Sequence, residues 1–184
     1  MSTKDSDKKL SLPGLLDESD RGCVLVAAAM LDTSLSDLFK AMFRPSTAPQ
    51  QFIDSLFESG GPLNSLSAKA RLARAFGYIS QDTLEDLNAI RKLRNRFAHT
   101  TEKTDFSNEE VAQIIENLHI ANSSKVQLKG IRRFNLTEQP PEPKEAHIRA
   151  AGFVKFHKTL FCLAVGNLTT KIVKEWATYF RKQA

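Results

Sequence analysis

The sequence predicts an all-α protein: a single-domain bundle of about six helices that ends in a long C-terminal helix. Two observations carry this prediction. Apolar residues recur at spacings of three and four along most of the chain, and no long stretch alternates apolar with polar residues as a half-buried strand would. With 184 residues, 41% hydrophobic and 26% charged, the chain also has the length and composition of one globular domain.

Two helices are predicted in the first third of the chain. The first spans Asp20–Phe43, has an apolar residue at every third or fourth position, and ends before Pro45. The second spans Gln50–Phe57 and ends before the break at Gly60, Gly61 and Pro62.

Three middle helices are predicted from their capping residues. Ser67 is the expected N-cap of a helix that reaches about Tyr78, and its inner face is predicted at Ala68, Leu72, Ala75 and Phe76. The next helix is predicted from about Thr83 to Ala98, and the one after it from Val111 to Leu118. Their expected capping boxes are Asp82 with Glu85 and Ser107 with Glu110.

The resulting plan has four parts. Residues 1–19 are expected to form a flexible N-terminus, and residues 20–121 a helical core. Residues 122–144 are expected to form a basic, Pro-containing loop with a turn at Gly130. Residues 145–184 form the long final helix, which completes the same domain and offers apolar surface for a homodimer.

Composition predicts a cytoplasmic protein without membrane insertion. Unbroken apolar runs such as Leu160 to Val165 are far shorter than the ~20 residues of a membrane span. The N-terminus is polar and lacks the apolar region of a secretory signal. The two cysteines, Cys23 and Cys162, lie in apolar contexts and are interpreted as small buried hydrophobic residues.

Charge is distributed unevenly. The net charge is +5, but residues 125–184 contain 12 Lys and Arg against 4 Asp and Glu. A basic C-terminal third is typical of proteins that bind a polyanion or an acidic protein, and it is also compatible with an ordinary solvated surface.

Several chemistries lack the motifs that they need. The four His and two Cys are scattered, and no pair has metal-ligand spacing. No phosphate-binding loop and no nucleophile elbow occurs either. We therefore expect no cofactor and no metal.

The densest polar group lies at Arg94, Asn95 and His99. Arg94 follows Ile90 by four residues, so it lies near the apolar stripe and is expected to need a buried partner, for which Asp32 is the candidate. In one interpretation, Asp32, Arg94, Asn95 and His99 form a structural polar network. In the other, the spacing resembles the Arg-x(4–6)-His signature of HEPN domains, and the three residues serve an endoribonuclease or RNA-binding module.

Direct DNA reading has little support in the sequence. Lys69, Arg71 and Arg74 are interpreted as a solvated helix face. The helix pair around residues 67–98 is the one candidate helix-turn-helix, but the acidic Asp82, Glu85 and Asp86 begin its second helix.

Three segments together resemble the MtlR/YggD proteins, the mannitol operon repressor family. They occur in the family's order and cover roughly residues 20–120: RGCVLVAAAMLD at 21–32, GPLNSLSAKARLARAFG at 61–77 and LNAIRKLRNRFAH at 87–99, followed by Phe106. The resemblance implies an all-helical regulator of transcription of a sugar-alcohol uptake operon, without enzymatic turnover.

The predicted mode of action is binding to a macromolecular partner, protein or nucleic acid, and direct DNA binding is left open. The candidate contact residues are in the loop before the third helix and in the basic segment. They are Asn64, Ser65, Lys69, Lys129, Arg132 and Arg133.

Overall fold

The computed structural model describes residues 12–44, 47–99, 104–135 and 146–183. All regular secondary structure in these residues is helical. The helices are α1 (Leu12–Asp17), α2 (Asp20–Phe43), α3 (Gln50–Ser55), α4 (Leu66–Ala75), α5 (Gln81–His99), α6 (Glu109–Glu116), α7 (Ala121–Asn135) and α8 (Ala146–Gln183). The predicted all-α class with a long C-terminal helix is confirmed, and α1 and α7 are additions to the six predicted helices.

One hydrophobic core joins the described helices. Helix α2 packs against α5, α4 and α8, and α8 also contacts α1, α5, α6 and α7. The largest fully buried side chains include Phe39 of α2, Phe106 before α6 and Phe161 of α8. The N-terminal and C-terminal helices therefore share one core.

Helix α2 is the apolar centre of the bundle. Among the described helices it is the one long and apolar enough to cross a membrane by length and composition. Its buried residues Cys23, Val24, Ala27, Ala28, Leu31, Leu35 and Phe39 recur at spacings of one, three and four. That pattern places them on the side that faces the other helices, so α2 is a core helix.

The contact between α2 and α8 includes both cysteines. Their Sγ atoms lie 3.5 Å apart, and both residues are completely buried as free thiols. The contact with Cys162 and the burial raise the pKa of the Cys23 thiol. Next to them, Lys158 Nζ lies 3.4 Å from Asp20 Oδ1 and fixes the start of α2 to α8.

Three helix starts differ from their predicted caps. Ser65 replaces Ser67: its backbone is extended, and its Oγ accepts the Ala68 N–H. Ser80 replaces Asp82, because its Oγ accepts the Thr83 N–H. Asn108 accepts the N–H groups of the first turn of α6 in place of Ser107. In each case the cap is the polar residue directly before the first helical residue, and its side chain reaches the N–H groups of the first turn.

The predicted inner face of α4 is right at Leu72, which packs against the core, and wrong at Ala75 and Phe76, which are exposed. Lys69, Ala70 and Ala73 are buried, whereas Phe76 is 50% exposed. Alanines let α4 approach α2 and α5 closely, and the apolar stem of Lys69 is buried while its ammonium group finds a carboxylate.

The expected loop at 122–144 is a helix over its first part. Ala121, Ser124 and Leu128 are buried at helical spacing, and the Ser124 hydroxyl donates to the carbonyl of Ile120. A serine hydroxyl bonded to the preceding turn is compatible with a helix. Of the N-terminus expected to be flexible, residues 1–19, the part from Leu12 to Asp17 forms the helix α1, and Leu15 is buried. Residues 1–11 and 136–145 lie outside the described part of the chain.

Candidate functional site

A cavity of about 700 Å³ lies between α2, α5 and the start of α4. We call it the polar cavity. Helix α2 presents Leu25, Ala28, Ala29 and Asp32, which share one helix face, and α5 presents Arg91, Arg94 and Asn95, which share another. The segment from Asn64 to Ser67 completes the wall.

A tight loop holds Asn64 and Ser65 at the rim of the polar cavity. A Cβ added at Gly61 would lie 2.4 Å from the Ser55 carbonyl oxygen, so only glycine fits there. The Leu63 N–H donates to the Leu56 carbonyl at 2.8 Å, and the Leu63 side chain is buried. This loop delivers Ser65 to the N-cap position of α4.

An ion pair with the buried Lys69 holds Asp32, the carboxylate that lines the polar cavity. Lys69 Nζ lies 2.8 Å from Asp32 Oδ1; the Lys69 side chain is 3% exposed and that of Asp32 is 35% exposed. The ammonium group needs this carboxylate because an unpaired buried charge is costly. The pair neutralises Asp32 and fastens α4 to α2.

The α5 wall is cationic. The Nε of Arg91 is buried and has no hydrogen-bond partner within the described part of the chain. Arg94 is exposed, and its Nη1 donates to the Oδ1 of the neighbouring Asn95 at 3.1 Å. With Asp32 neutralised by Lys69, the two guanidinium groups leave the wall with a net positive charge.

The structure brings together five of the residues singled out from the sequence: Asp32, Asn64, Ser65, Arg94 and Asn95 all line the polar cavity. The expected contact between Asp32 and Arg94 is wrong, because the buried Lys69 occupies Asp32 and Arg94 faces solvent. His99 is exposed at the end of α5 and does not line the cavity.

Two further outcomes concern the basic residues. Lys69 was expected on a solvated face and as a contact residue, but its charge is buried. Lys129, Arg132 and Arg133 belong to α7, and their side chains lie outside what the structure describes. Sequence reasoning did not select Arg91, although it precedes Arg94 by three residues and Asn95 by four, which places all three on one face.

A second surface lies on the other side of α5, where the α4–α5 connection meets α7 and α8. Its groove of about 840 Å³ includes four cationic residues, Arg74, Lys171, Lys174 and Lys182, whereas Glu175 is the one acidic residue that lines it. At the end of the groove, the rings of Phe76 and Phe180 each stack on Tyr78, with centroids 5.3 and 5.6 Å away. We call this surface the aromatic–basic face.

The turn after α4 creates this face. Gly77 has φ +75°, the Tyr78 N–H donates to the Ala73 carbonyl and the Gly77 N–H donates to the Arg74 carbonyl. This is the Schellman motif, which glycine allows at that position. It turns Phe76 outward, where it is 50% exposed, and sends Tyr78 inward onto Trp176.

Comparison with known proteins decides the family. The model of the mannitol repressor family, MtlR, matches residues 16–173, which include the whole lining of the polar cavity. The chain belongs to the MtlR family. The predicted family and the predicted repressor-type function in transcription are thereby confirmed.

Two solved structures resemble this MtlR-family chain. Escherichia coli MtlR, solved as the MtlR–HPr complex, matches with a TM-score of 0.65 and 18% identity over 88% of this chain and 97% of that one. YggD of Shigella flexneri, described as a possible transcriptional regulator, matches with a TM-score of 0.66 and 16% identity over 94% and 99%. At these identities the likeness shows a shared fold. Comparison with curated protein sequences gives no match.

In this MtlR-family chain, carboxylates from neighbouring helices cap two helix starts. Glu175 of α8 accepts the Ser80 N–H at 3.0 Å and the Thr83 hydroxyl at 3.1 Å, which covers the first turn of α5. Asp86 of α5 accepts the His119 and Ile120 N–H groups at 2.7 and 3.0 Å, just before α7. Burial raises the pKa of Asp86, although those two amides act in the opposite direction.

The cap on the first turn of α5 affects whether this helix can contact DNA as a recognition helix. Thr83 is completely buried, and Glu175 occupies the N-terminal turn that a recognition helix would present to DNA. Helices α4 and α5 therefore do not act as a helix-turn-helix in this conformation.

Proposed function

We propose that this chain is a non-enzymatic regulator of transcription that acts by binding a protein partner, and that the partner is an HPr-type protein. The observation that carries the proposal is the family match over residues 16–173. The shared fold with MtlR in the MtlR–HPr complex supports the class of partner. We place the chain in the cytoplasm, where a bacterial-type regulator meets DNA and where free thiols such as Cys23 and Cys162 persist.

The aromatic–basic face supports docking of a protein. Phe76 is 50% exposed and Phe180 is 40% exposed, and the two side chains flank the same Tyr78 ring. Exposed aromatic side chains beside an arginine are the usual hot spots of protein interfaces. Tyr78 supports these two rings and packs in turn against Phe39 and Trp176. The ring centroids of Tyr78, Phe39 and Trp176 lie 4.4 to 6.4 Å from one another, so the face is largely pre-formed.

Charge defines the matching partner surface. Arg74, Lys174 and Lys182 line the groove, whereas Glu175 is already engaged by Ser80, Thr83 and Lys171. The partner therefore presents carboxylates around an apolar centre. Such charge pairs at the rim accelerate association and make it sensitive to salt.

Binding to a purified HPr-type protein from the same organism tests this assignment. We expect a saturable complex by isothermal titration calorimetry, and Phe180→Ser should weaken it about tenfold or more, as hot-spot truncations do. Phe52→Ser is the matched control, because Phe52 is 58% exposed on α3, whereas Phe180 stacks on Tyr78, which lines the groove. Absence of a complex with the wild-type chain would overturn the choice of partner, and equal losses in both variants would overturn the choice of surface.

The regulatory role needs a cellular measurement. Deletion of the gene should change transcript levels of the neighbouring mannitol operon, and the gene encoding the Phe180→Ser variant should fail to restore them. Unchanged transcripts in the deletion strain would remove the mannitol assignment.

The non-enzymatic part of the proposal is tested against the ribonuclease interpretation. Arg94 and Asn95 line the polar cavity, but His99 does not. A proton-transfer group must come within reach of the reacting atoms, so this arrangement does not bring the His99 imidazole to the two residues. We expect no RNA cleavage by the purified protein. Cleavage that disappears in folded His99→Ala would establish the ribonuclease instead.

A further inference from the structure

We propose that the polar cavity between α2, α4 and α5 is a binding site for a small organic oxyanion, specifically a hydroxylated phosphomonoester. The cavity combines two guanidinium groups, two amides and two serines with one carboxylate. Neither the family match nor the fold likeness assigns a ligand to it. The proposal stands apart from partner binding, which is assigned to a different surface.

The strongest sign of a ligand is that Arg91 and Arg94 both line the cavity. The Nε of Arg91 is buried without a hydrogen-bond partner in the part of the chain that the structure describes, so a ligand in the cavity would meet the outer part of this guanidinium group. Arg94 lies one helical turn away on the same face and has one intramolecular bond, to Asn95. Two arginines on one face match the oxygens of a phosphate group, because guanidinium binds oxyanions through paired N–H groups.

The acidic member of the site does not oppose an anion. Lys69 Nζ holds Asp32 Oδ1 at 2.8 Å, so the pair contributes little net charge while the arginines keep theirs. The N-terminus of α4, capped by Ser65, opens onto the same space and adds partial positive charge. The outer part of Asp32, which is 35% exposed, remains able to accept a hydrogen bond from a ligand hydroxyl.

The size and lining of the site select a small molecule. A volume of about 700 Å³ lies within the 300–1,000 Å³ that small-molecule sites usually occupy. Leu25, Ala28, Ala29 and Leu66 supply an apolar wall for a short carbon skeleton. The ligand therefore has one anionic end for Arg91 and Arg94 and a hydroxylated end near Asp32.

Titration of the full chain with two probes tests the site. Inorganic phosphate and glycerol 3-phosphate are titrated by calorimetry at constant ionic strength set with chloride. We expect both to bind and glycerol 3-phosphate to bind several-fold more tightly, because its hydroxyl groups reach Asp32. Arg94→Ala should lower the affinity for both probes about tenfold or more, the usual effect of losing one charged hydrogen-bond donor.

Lys92→Ala is the matched control, because Lys92 is an exposed cation on the same helix and does not line the cavity. It should bind both probes as the wild type does. Arg91→Gln should also lose binding; because Arg91 is partly buried, the exposed Arg94 carries the test if that variant does not fold. No binding by the wild type, or equal losses in Arg94→Ala and Lys92→Ala, would overturn the proposal. Binding to the HPr-type protein is measured separately, so the two proposals can fail independently.

Discussion

The polar cavity and the aromatic–basic face share helices α4 and α5 but are built in opposite ways. At the cavity, part of the charge is fixed: Asp32 is bound to Lys69, which is 2% exposed behind it, and Arg91 has a buried Nε. On the face, apolar rings are exposed and the cations surround them. Buried polar groups in a concave site select a small polar ligand, whereas exposed aromatics on an open surface favour a protein.

One short segment produces both environments. The start of α4, with its Ser65 cap and buried Lys69, belongs to the cavity, and its end, with Phe76 and Gly77, belongs to the face. A substitution at one end of α4 should therefore affect one surface and spare the other. The four changes below test that separation, from the largest expected effect to the smallest.

Trp176→Ala should cause the largest loss of stability. Trp176 is 5% exposed, and its ring lies 5.0 Å from Phe39 and 4.4 Å from Tyr78. Truncation of a buried tryptophan costs about 3–5 kcal/mol. Urea denaturation measures the loss, and retained phosphate binding by the folded variant would show that the two surfaces are separate. A loss below about 1 kcal/mol would mean that the aromatic cluster does not support the face.

Lys69→Ala should destabilise the cavity side by about 2 kcal/mol. Breaking a buried ion pair costs more when the remaining charge is fully desolvated, and Asp32 is 35% exposed, which reduces the effect. The exposed Arg71 of the same helix provides the control, since Arg71→Ala should change the free energy of unfolding by less than about 0.5 kcal/mol. Equal effects of the two changes would contradict the burial of Lys69.

Acid should weaken the packing of α6 and α7 against α8 through Glu116. This carboxylate accepts a hydrogen bond from His157 of α8 at 2.8 Å and lies 3.8 Å from Lys125 Nζ of α7. The bond from His157 lowers the pKa of Glu116 below its ordinary 4.5. The folded state therefore favours the charged form, so the stabilisation is complete above 4.5 and is lost as pH falls through the lowered pKa.

Glu116→Gln tests this sign. At about pH 6 the variant should be less stable than the wild type by up to about 1 kcal/mol, because the carboxylate is partly solvated. At about pH 3 the difference should be smaller, because protonation of Glu116 through its lowered pKa removes the charge that the variant lacks. Denaturation at both pH values measures it, and a difference that grows in acid would refute the assignment.

Arg94→Ala should have the smallest effect on folding. Arg94 is exposed and its one described bond is to its neighbour Asn95, so we expect a change within about 0.5 kcal/mol. The same variant should lose phosphate affinity. A split between unchanged stability and lost binding separates a ligand residue from a structural one, whereas a loss of several kcal/mol would restore the buried network predicted from the sequence.

The sequence could predict the helices better than their partners. Spacing located α2 from Asp20 to Phe43, the bounds that the structure shows, because an apolar face and a following Pro45 define it locally. The same spacing placed Arg94 near the stripe but could not rank Arg94 against Lys69 as the partner of Asp32. That choice depends on how α4 packs against α2, which belongs to the tertiary structure and not to the local sequence.

Two other failures have local causes. Helix α7 was missed because Ser123 and Ser124 read as a loop, although both hydroxyls bond to the Ile120 carbonyl. Arg91 precedes Arg94 by three residues, which places both on one helix face, but the burial of its Nε is visible only in the packed structure. Charge pairing and cavity shape arise after the helices pack, and periodicity does not encode them.

The meeting of Cys23 and Cys162 also bears on how the chain folds. The two contacting residues are separated by 139 positions, so α2 gains its α8 neighbour only after nearly the whole chain has been made. Long-range contacts of this kind slow folding, because a large loop must close before they form. During synthesis, the apolar face of α2 stays exposed until α8 has been made. Protection of this helix from aggregation is therefore needed most while the ribosome is still translating α8.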